Sequence, residues 1–154
     1  MTELDRVLAR YPNAETYKSG DSAALNAQIL DLMRKGRKTM TCEAWEVFGP
    51  DGEAMPKPGR IDIALDWEGR PALAVRTLKV ERVRYCDVTD AYVTPQGEFT
   101  DLADWRAGYR AVLTRAGRFR EDIELMIETF EVVEDLAILQ PSQPDQPSEG
   151  AQDV

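Results

Sequence analysis

Arg34-Lys35-Gly36-Arg37-Lys38-Thr39-Met40-Thr41-Cys42-Glu43-Ala44-Trp45 changes its period part-way through, and that change decides how the chain is read. Before it, Leu25, Ile29, Leu32 and Met33 recur at helical spacing and form an apolar stripe. The stripe runs into Gly36, the residue type that most readily takes the left-handed conformation closing a helix. After it the pattern alternates, with Thr39, Thr41, Glu43 and Trp45 on one side and Met40, Cys42, Ala44 and Glu46 on the other. A helix therefore hands over to a strand near Lys38. Such a junction sits at the rim of a fold, where a pocket can form. The plainer account of Arg34, Lys35, Arg37 and Lys38 is that cations favour the negative pole of the helix.

Working outward, Thr2-Glu3-Leu4-Asp5 reads as a capping box opening a first helix that Tyr11-Pro12-Asn13 stops. Tyr17 to Ser22 reads as a loop whose end caps the next helix. Downstream, Gly49-Pro50-Asp51-Gly52 is a turn and Pro56-Lys57-Pro58-Gly59-Arg60 a second break. Ile61, Ile63 and Leu65 then alternate as a strand, and Trp67-Glu68-Gly69-Arg70 reads as a hairpin loop. From Pro71 to Cys86 the chain is mostly strand. Its apolar parity switches between Leu73/Val75 and Leu78/Val80, and again at Val83/Tyr85, which implies bulges or a curled strand. A third helix capped by Thr100 or Asp101 carries Leu102, Trp105, Tyr109, Val112 and Leu113, and Gly117 ends it. The last strand is expected at Glu128 to Val133. Strands in the middle and helices at the ends give an α+β class, a small curled sheet or barrel with flanking helices. Residues 1–137 form the expected domain. Residues 138–154 read as an acidic, Pro-rich, disordered tail, with nothing to bury beyond Leu139.

The 154 residues carry a formal net charge of -9, which opposes non-specific binding to polyphosphate. Histidine is absent, removing the usual general base and the commonest zinc ligand. Any catalysis falls to Lys, Thr, Ser, Tyr, Cys or carboxylates. The start of the chain has no basic-then-apolar signal pattern and no apolar run spans a bilayer, so a cytoplasmic protein with reduced Cys42 and Cys86 is expected. Asp62, Asp66 and Glu68 match no cation-binding loop, so neither a metal nor a cofactor is expected.

Several segments together carry a family resemblance. They are Tyr11-Pro12, Gly20-Asp21-Ser22, Gly36-Arg37-Lys38-Thr39-Met40-Thr41-Cys42, Pro56-Lys57-Pro58-Gly59, Asp87-Val88-Thr89, Trp105-Arg106 and Phe130-Glu131-Val132-Val133. In this order, from about Tyr11 to Val133, they resemble the ASCH domain family. The resemblance implies a PUA-like mixed β-barrel with flanking helices, and a family-wide link to RNA binding. Some small bacterial members are amidohydrolases that remove the acetyl group from N4-acetylcytidine. The resemblance places the motif lysine at Lys38 and the motif threonine at Thr41. The loop position of the family's glutamate falls at Gln96, with Glu98 two residues on; Glu43 stands where those amidohydrolases usually carry Arg.

Amide hydrolysis needs a nucleophile, a proton acceptor for it and a donor for the leaving nitrogen. Without histidine, Thr41 and Lys38 supply the first two. A free lysine titrates near about 10.4, so desolvation or nearby cations must lower it, and Arg34 and Arg37 would push that way. Glu98 supplies the carboxyl group for the leaving amine. Arg37, Glu43, Trp45, Tyr92, Gln96 and Arg82 are the candidate substrate-binding residues. The expected partner is a small nucleoside or single-stranded RNA, and not a membrane. The alternative to catalysis is an RNA-binding module. Arg76, Arg82 and Arg84 share parity, and with Arg34, Lys35, Arg37 and Lys38 they could form a phosphate groove. The plain account is that these arginines pair with the chain's many carboxylates. Cys42 reads as a small buried apolar residue.

Overall fold

Each helix begins where the sequence supplies a cap. Thr2 accepts from the Asp5 backbone N–H while the Asp5 carboxylate accepts from that of Thr2, both at 3.0 Å. This closes a capping box on α1 (Glu3–Arg10). Ser22 Oγ caps α2 (Ala23–Arg34) through the Leu25 N–H at 3.1 Å. Asp101 caps α3 (Leu102–Arg115) through the Asp104 N–H at 2.8 Å. In the computed structural model, which describes residues 1–139, these helices flank five strands. They are β1 (Thr16–Lys18), β2 (Met40–Ala44), β3 (Ile61–Leu65), β4 (Pro71–Arg84) and β5 (Glu124–Asp135).

The strands form one sheet in the order β1-β3-β4-β5-β2, antiparallel except for the β1–β3 pair. It curls into a half-barrel, so the mixed α+β, PUA-like architecture expected from the sequence is the one observed. Register shifts at Ala74/Val75 and at Thr77/Lys79 on the β4–β5 ladder supply the extra twist. The second shift leaves Leu78 outside the register and 48% exposed, which accounts for the parity switch seen in the sequence.

That bulge overturns one expectation. Arg76 pairs in register with Glu131, whereas Arg82 and Arg84 pair with Met126 and Glu124. Glu131 has the opposite parity to Met126 and Glu124 on β5, so Arg76 lies on the other face of the sheet from Arg82 and Arg84. Other differences are smaller. Tyr17 and Lys18 belong to a strand and not to a loop, because β3 offers its free edge to three residues too few to show a period. β5 is twice as long as its apolar alternation suggested, since β4 pairs along its whole length. Trp45 leaves the strand and opens a 3-10 turn, Trp45–Val47. Val112, expected on the core stripe of α3, is exposed.

Three clusters hold the sheet. Met40, Ala44, Leu125 and Ile127 meet Trp105 and Leu113 of α3 on one face. Leu73, Val75 and Phe130 meet Ile29, Leu30 and Met33 of α2 on the other face. Val7 of α1 packs on Ile63 and Ala74. A last turn, Leu136–Leu139, runs past the expected boundary at 137, and the rest of the expected tail lies outside the described residues. Among the described residues no helix is long and apolar enough to cross a membrane.

Candidate functional site

The end of α2 positions the lysine. Gly36 takes φ 73°, and the N–H groups of Arg37 and Lys38 both return to the Leu32 carbonyl at 2.9 and 3.1 Å. The chain therefore reverses, and Lys38 turns inward until only 4% of it is exposed. An ammonium has three hydrogens to place. Lys38 Nζ donates to the Met40 carbonyl at 2.9 Å and to the Gln96 carbonyl at 3.2 Å, and it pairs with Glu98 Oε2 at 2.6 Å.

The Glu98 partner arrives on a loop held against this junction. Thr39 N–H donates to the Pro95 carbonyl at 2.8 Å, and Gly97 follows in the left-handed conformation at φ 75°. A Cβ on Gly97 would stand 2.6 Å from the Arg37 carbonyl oxygen, so only glycine lets the two backbones approach this closely. The reversal at Gly97 separates its neighbours. Gln96 points inward and is buried, its Nε2 donating to the Tyr92 carbonyl at 2.6 Å and its Oε1 facing Cys42 Sγ at 3.6 Å. Glu98 faces Lys38. Gln96 thus reaches the site through its carbonyl alone.

Thr41 follows two residues into β2. It stands directly opposite Glu128 of β5, so both side chains lie on the face not covered by α3. Thr77 donates to Glu128 Oε2 at 2.7 Å. Burial pushes the Glu128 carboxyl above its ordinary range; the Thr77 hydroxyl counters this, Asp62 reinforces it, and Arg60 and Lys38 oppose it. Lys38 thus acts electrostatically on Glu98 and Glu128 alike. Sequence reasoning missed Glu128 and Thr77. The signal was available in part, since Glu128 shares parity with Phe130 and Val132 and so puts a carboxylate on an apolar stripe.

The remaining candidates are dispersed. Glu43 lies on the Thr41 face, where burial raises its carboxyl while the Ala44 N–H, donating at 2.9 Å, favours the charge. Trp45 carries the Arg82 guanidinium 4.4 Å from its ring centre, and the two line a surface concavity with Arg84, Arg120, Asp122 and Glu124. A second concavity is lined by Tyr85, Arg106, Ala107, Arg110 and Glu121. Neither contains Lys38. Tyr92 donates its hydroxyl to Glu81 at 3.1 Å, and Arg37 is exposed at the rim. Arg34 is drawn to Asp135 at 3.1 Å, so the cation nearest Lys38 in sequence on its helix is engaged elsewhere. The expected phosphate groove is largely neutralised, with Arg76 on Glu131, Arg82 on Glu124 and Arg84 on Asp87, each within 2.8 Å. Cys42 and Cys86 are free thiols, and burial pushes the Cys42 thiol up to about 11, which leaves it unreactive. Asp62 and Asp66 are held by Arg60 and Arg70, each at 2.8 Å, and among the described residues no acidic or cysteine cluster is arranged to hold a metal.

A model of the ASCH domain family matches residues 15–134. The chain belongs to the ASCH domain family. The crystal structure of an ASCH domain from Lactobacillus crispatus is similar to it with a TM-score of 0.72 and 26% identity, over 83% of this chain and 84% of that one. A crystal structure of an Enterococcus faecalis protein is similar with a TM-score of 0.67 and 26% identity, over 84% of this chain and 89% of that one. No curated protein matches. In this ASCH domain the Gly36–Cys42 segment meets the 94–98 loop at one junction, and the three motif-derived residues Lys38, Thr41 and Glu98 gather there with Glu128.

Proposed function

We propose that this ASCH domain binds a nucleobase or nucleoside and removes the acyl group from an N4-acylated cytosine, with Thr41 as nucleophile. The observation that carries the proposal is the buried Lys38–Glu98 pair, 2.6 Å apart, at the start of the strand bearing Thr41. Moving one proton from Nζ to the carboxylate yields a free amine beside a carboxylic acid. The amine takes the Thr41 proton as Oγ attacks the acyl carbon. The acid gives its proton to the departing N4 nitrogen, so the C–N bond breaks with a neutral amine leaving. Water then opens the Thr41 ester, releasing the acid and restoring the hydroxyl. No histidine is needed in this scheme, and the chain has none.

The test is acetate release from N4-acetylcytidine. Lys38→Met and Glu98→Gln abolish it while the fold persists by circular dichroism, and Gln96→Ala has a mild effect because its amide is already occupied. Loss of activity in Gln96→Ala with retention in Glu98→Gln would reassign the acid. An inactive wild type would remove the hydrolase reading.

RNA binding without catalysis is the second reading. It is supported by the Arg82–Trp45 stack beside Arg84 and Arg120, a cation-and-aromatic platform of the kind that holds single strands. Replacing Arg82 and Arg84 together flattens the salt dependence of single-stranded RNA affinity by about two in log–log slope. No binding at low salt would remove this reading.

A further inference from the structure

We infer that Glu128 is the specificity-determining residue of the same site, accepting a hydrogen bond from the N–H of the acylated amide. The inference rests on the deacylation reading and adds what the site must recognise. Three observations carry it. First, Thr41 and Glu128 are direct partners in the β2–β5 register, which sets their Cβ atoms about 5 Å apart on one face. An acyl carbon in contact with Thr41 Oγ is one bond from the amide nitrogen, so that nitrogen lies within reach of the Glu128 carboxyl group.

Second, the carboxyl group is half used. Oε2 accepts from Thr77, itself buried, and this holds the group in place. No cation of the described residues forms an ion pair with Glu128. The one fully buried side-chain polar atom among the described residues that lacks a partner is Trp105 Nε1, so Oε1 of Glu128 is not sealed in and keeps its acceptor capacity toward open space.

Third, the surroundings divide the labour between the two acids. Glu98 is committed to Lys38 at 2.6 Å and is placed for proton transfer, whereas Glu128 meets a neutral hydroxyl and a neighbouring backbone strand. A half-buried carboxylate whose only hydrogen-bond donor is one threonine is unfavourable unless a ligand donates to it. The ligand class that satisfies it is a secondary amide: an N-acyl group on a nitrogen that still bears hydrogen. A tertiary amide leaves the carboxylate unsatisfied.

The experiment compares acetate release from N4-acetylcytidine and from N4-acetyl-N4-methylcytidine, which lacks the N–H. Wild type prefers the first in kcat/KM by about 10- to 100-fold, the range for a hydrogen bond to a charged group. Glu128→Leu, which keeps the bulk and removes the acceptor, brings the ratio to within about threefold of unity by raising KM, with kcat nearly unchanged. Glu128→Gln keeps an acceptor oxygen and the Thr77 contact, and retains most of the preference. A preference that persists in Glu128→Leu overturns the inference and leaves the hydrolase reading standing. So does a fall in kcat at constant KM, which would make Glu128 a proton donor. If Glu128→Leu does not fold, the result for Glu128→Gln decides: a preference abolished there overturns the inference, and one retained together with an unchanged KM supports it. Wild type inactive on both substrates removes the deacylation reading and the inference with it.

Discussion

The two faces of the sheet formed by β4, β5 and β2 are finished differently. On the face of Met40, Ala44, Leu125 and Ile127, α3 completes the cover. Trp105 there has no exposure and stacks between Tyr85 and Tyr109, each 5.3 Å away. On the opposite face α2 packs Ile29, Leu30 and Met33 over Leu73, Val75 and Phe130, and then stops at Gly36. Beyond that stop the same face carries Thr41, Thr77 and Glu128, with Lys38 folded in from the end of the helix. One face is a core because a helix runs its full length. The other becomes a site because its helix ends early, and the polar groups left there must satisfy one another.

The largest effect expected from this contrast is on turnover. Thr41→Val keeps a β-branched strand residue and removes only the hydroxyl, so acetate release falls by at least about 10³-fold, or about 4 kcal/mol in barrier, with the thermal midpoint nearly unchanged. A variant that keeps its rate would place the nucleophile elsewhere. On the sealed face the order reverses. Trp105→Ala costs about 3–5 kcal/mol in denaturant unfolding, while the folded fraction keeps its kcat. Equal loss of both would mean that the faces are coupled.

Gly97→Ala probes the junction between them. Its positive φ and the 2.6 Å approach to the Arg37 carbonyl predict a loss of about 1–3 kcal/mol and a lower kcat, since the same strain displaces Glu98. Unchanged unfolding and rate would show that the loop is not held against Lys38.

The smallest expected effect is a pH-dependent gain from Glu128→Gln. Burial raises the Glu128 carboxyl in the folded state, so its contribution favours folding below the unfolded value of about 4.3 and is lost as pH rises through the folded one. The neutral amide escapes that loss. The variant therefore unfolds at a higher temperature than wild type at pH 7.5, and the difference vanishes below about pH 4. A difference that grows on acidification would contradict the assignment.

Much of this was legible in single segments. The caps at Thr2, Ser22 and Asp101 and the stops at Gly36 and Gly117 act within one turn, so residue type alone located α1, α2 and α3. The alternation from Met40 to Ala44 assigned Thr41 and Glu43 to one face and Cys42 to the other, as the register confirms. β1 was illegible because three exposed residues show no period and gain their strand geometry from β3. The common face assigned to Arg76, Arg82 and Arg84 failed because one bulged residue inverts every later side chain, and spacing alone does not locate it.

The site divides in the same way. By itself, the sequence determined that catalysis must proceed without histidine, that Lys38 and Thr41 stand at a helix-to-strand junction, and that the acid is either Gln96 or Glu98 in one loop. Only the tertiary structure decided between them. Gly97 reverses the backbone against Arg37, which buries the Gln96 amide and delivers the Glu98 carboxylate to Nζ across 60 residues of chain. Glu128 joined the site for the same reason. Its role depends on which residue of another strand stands opposite it, and that partner is set by the register of the sheet, which no local pattern specifies.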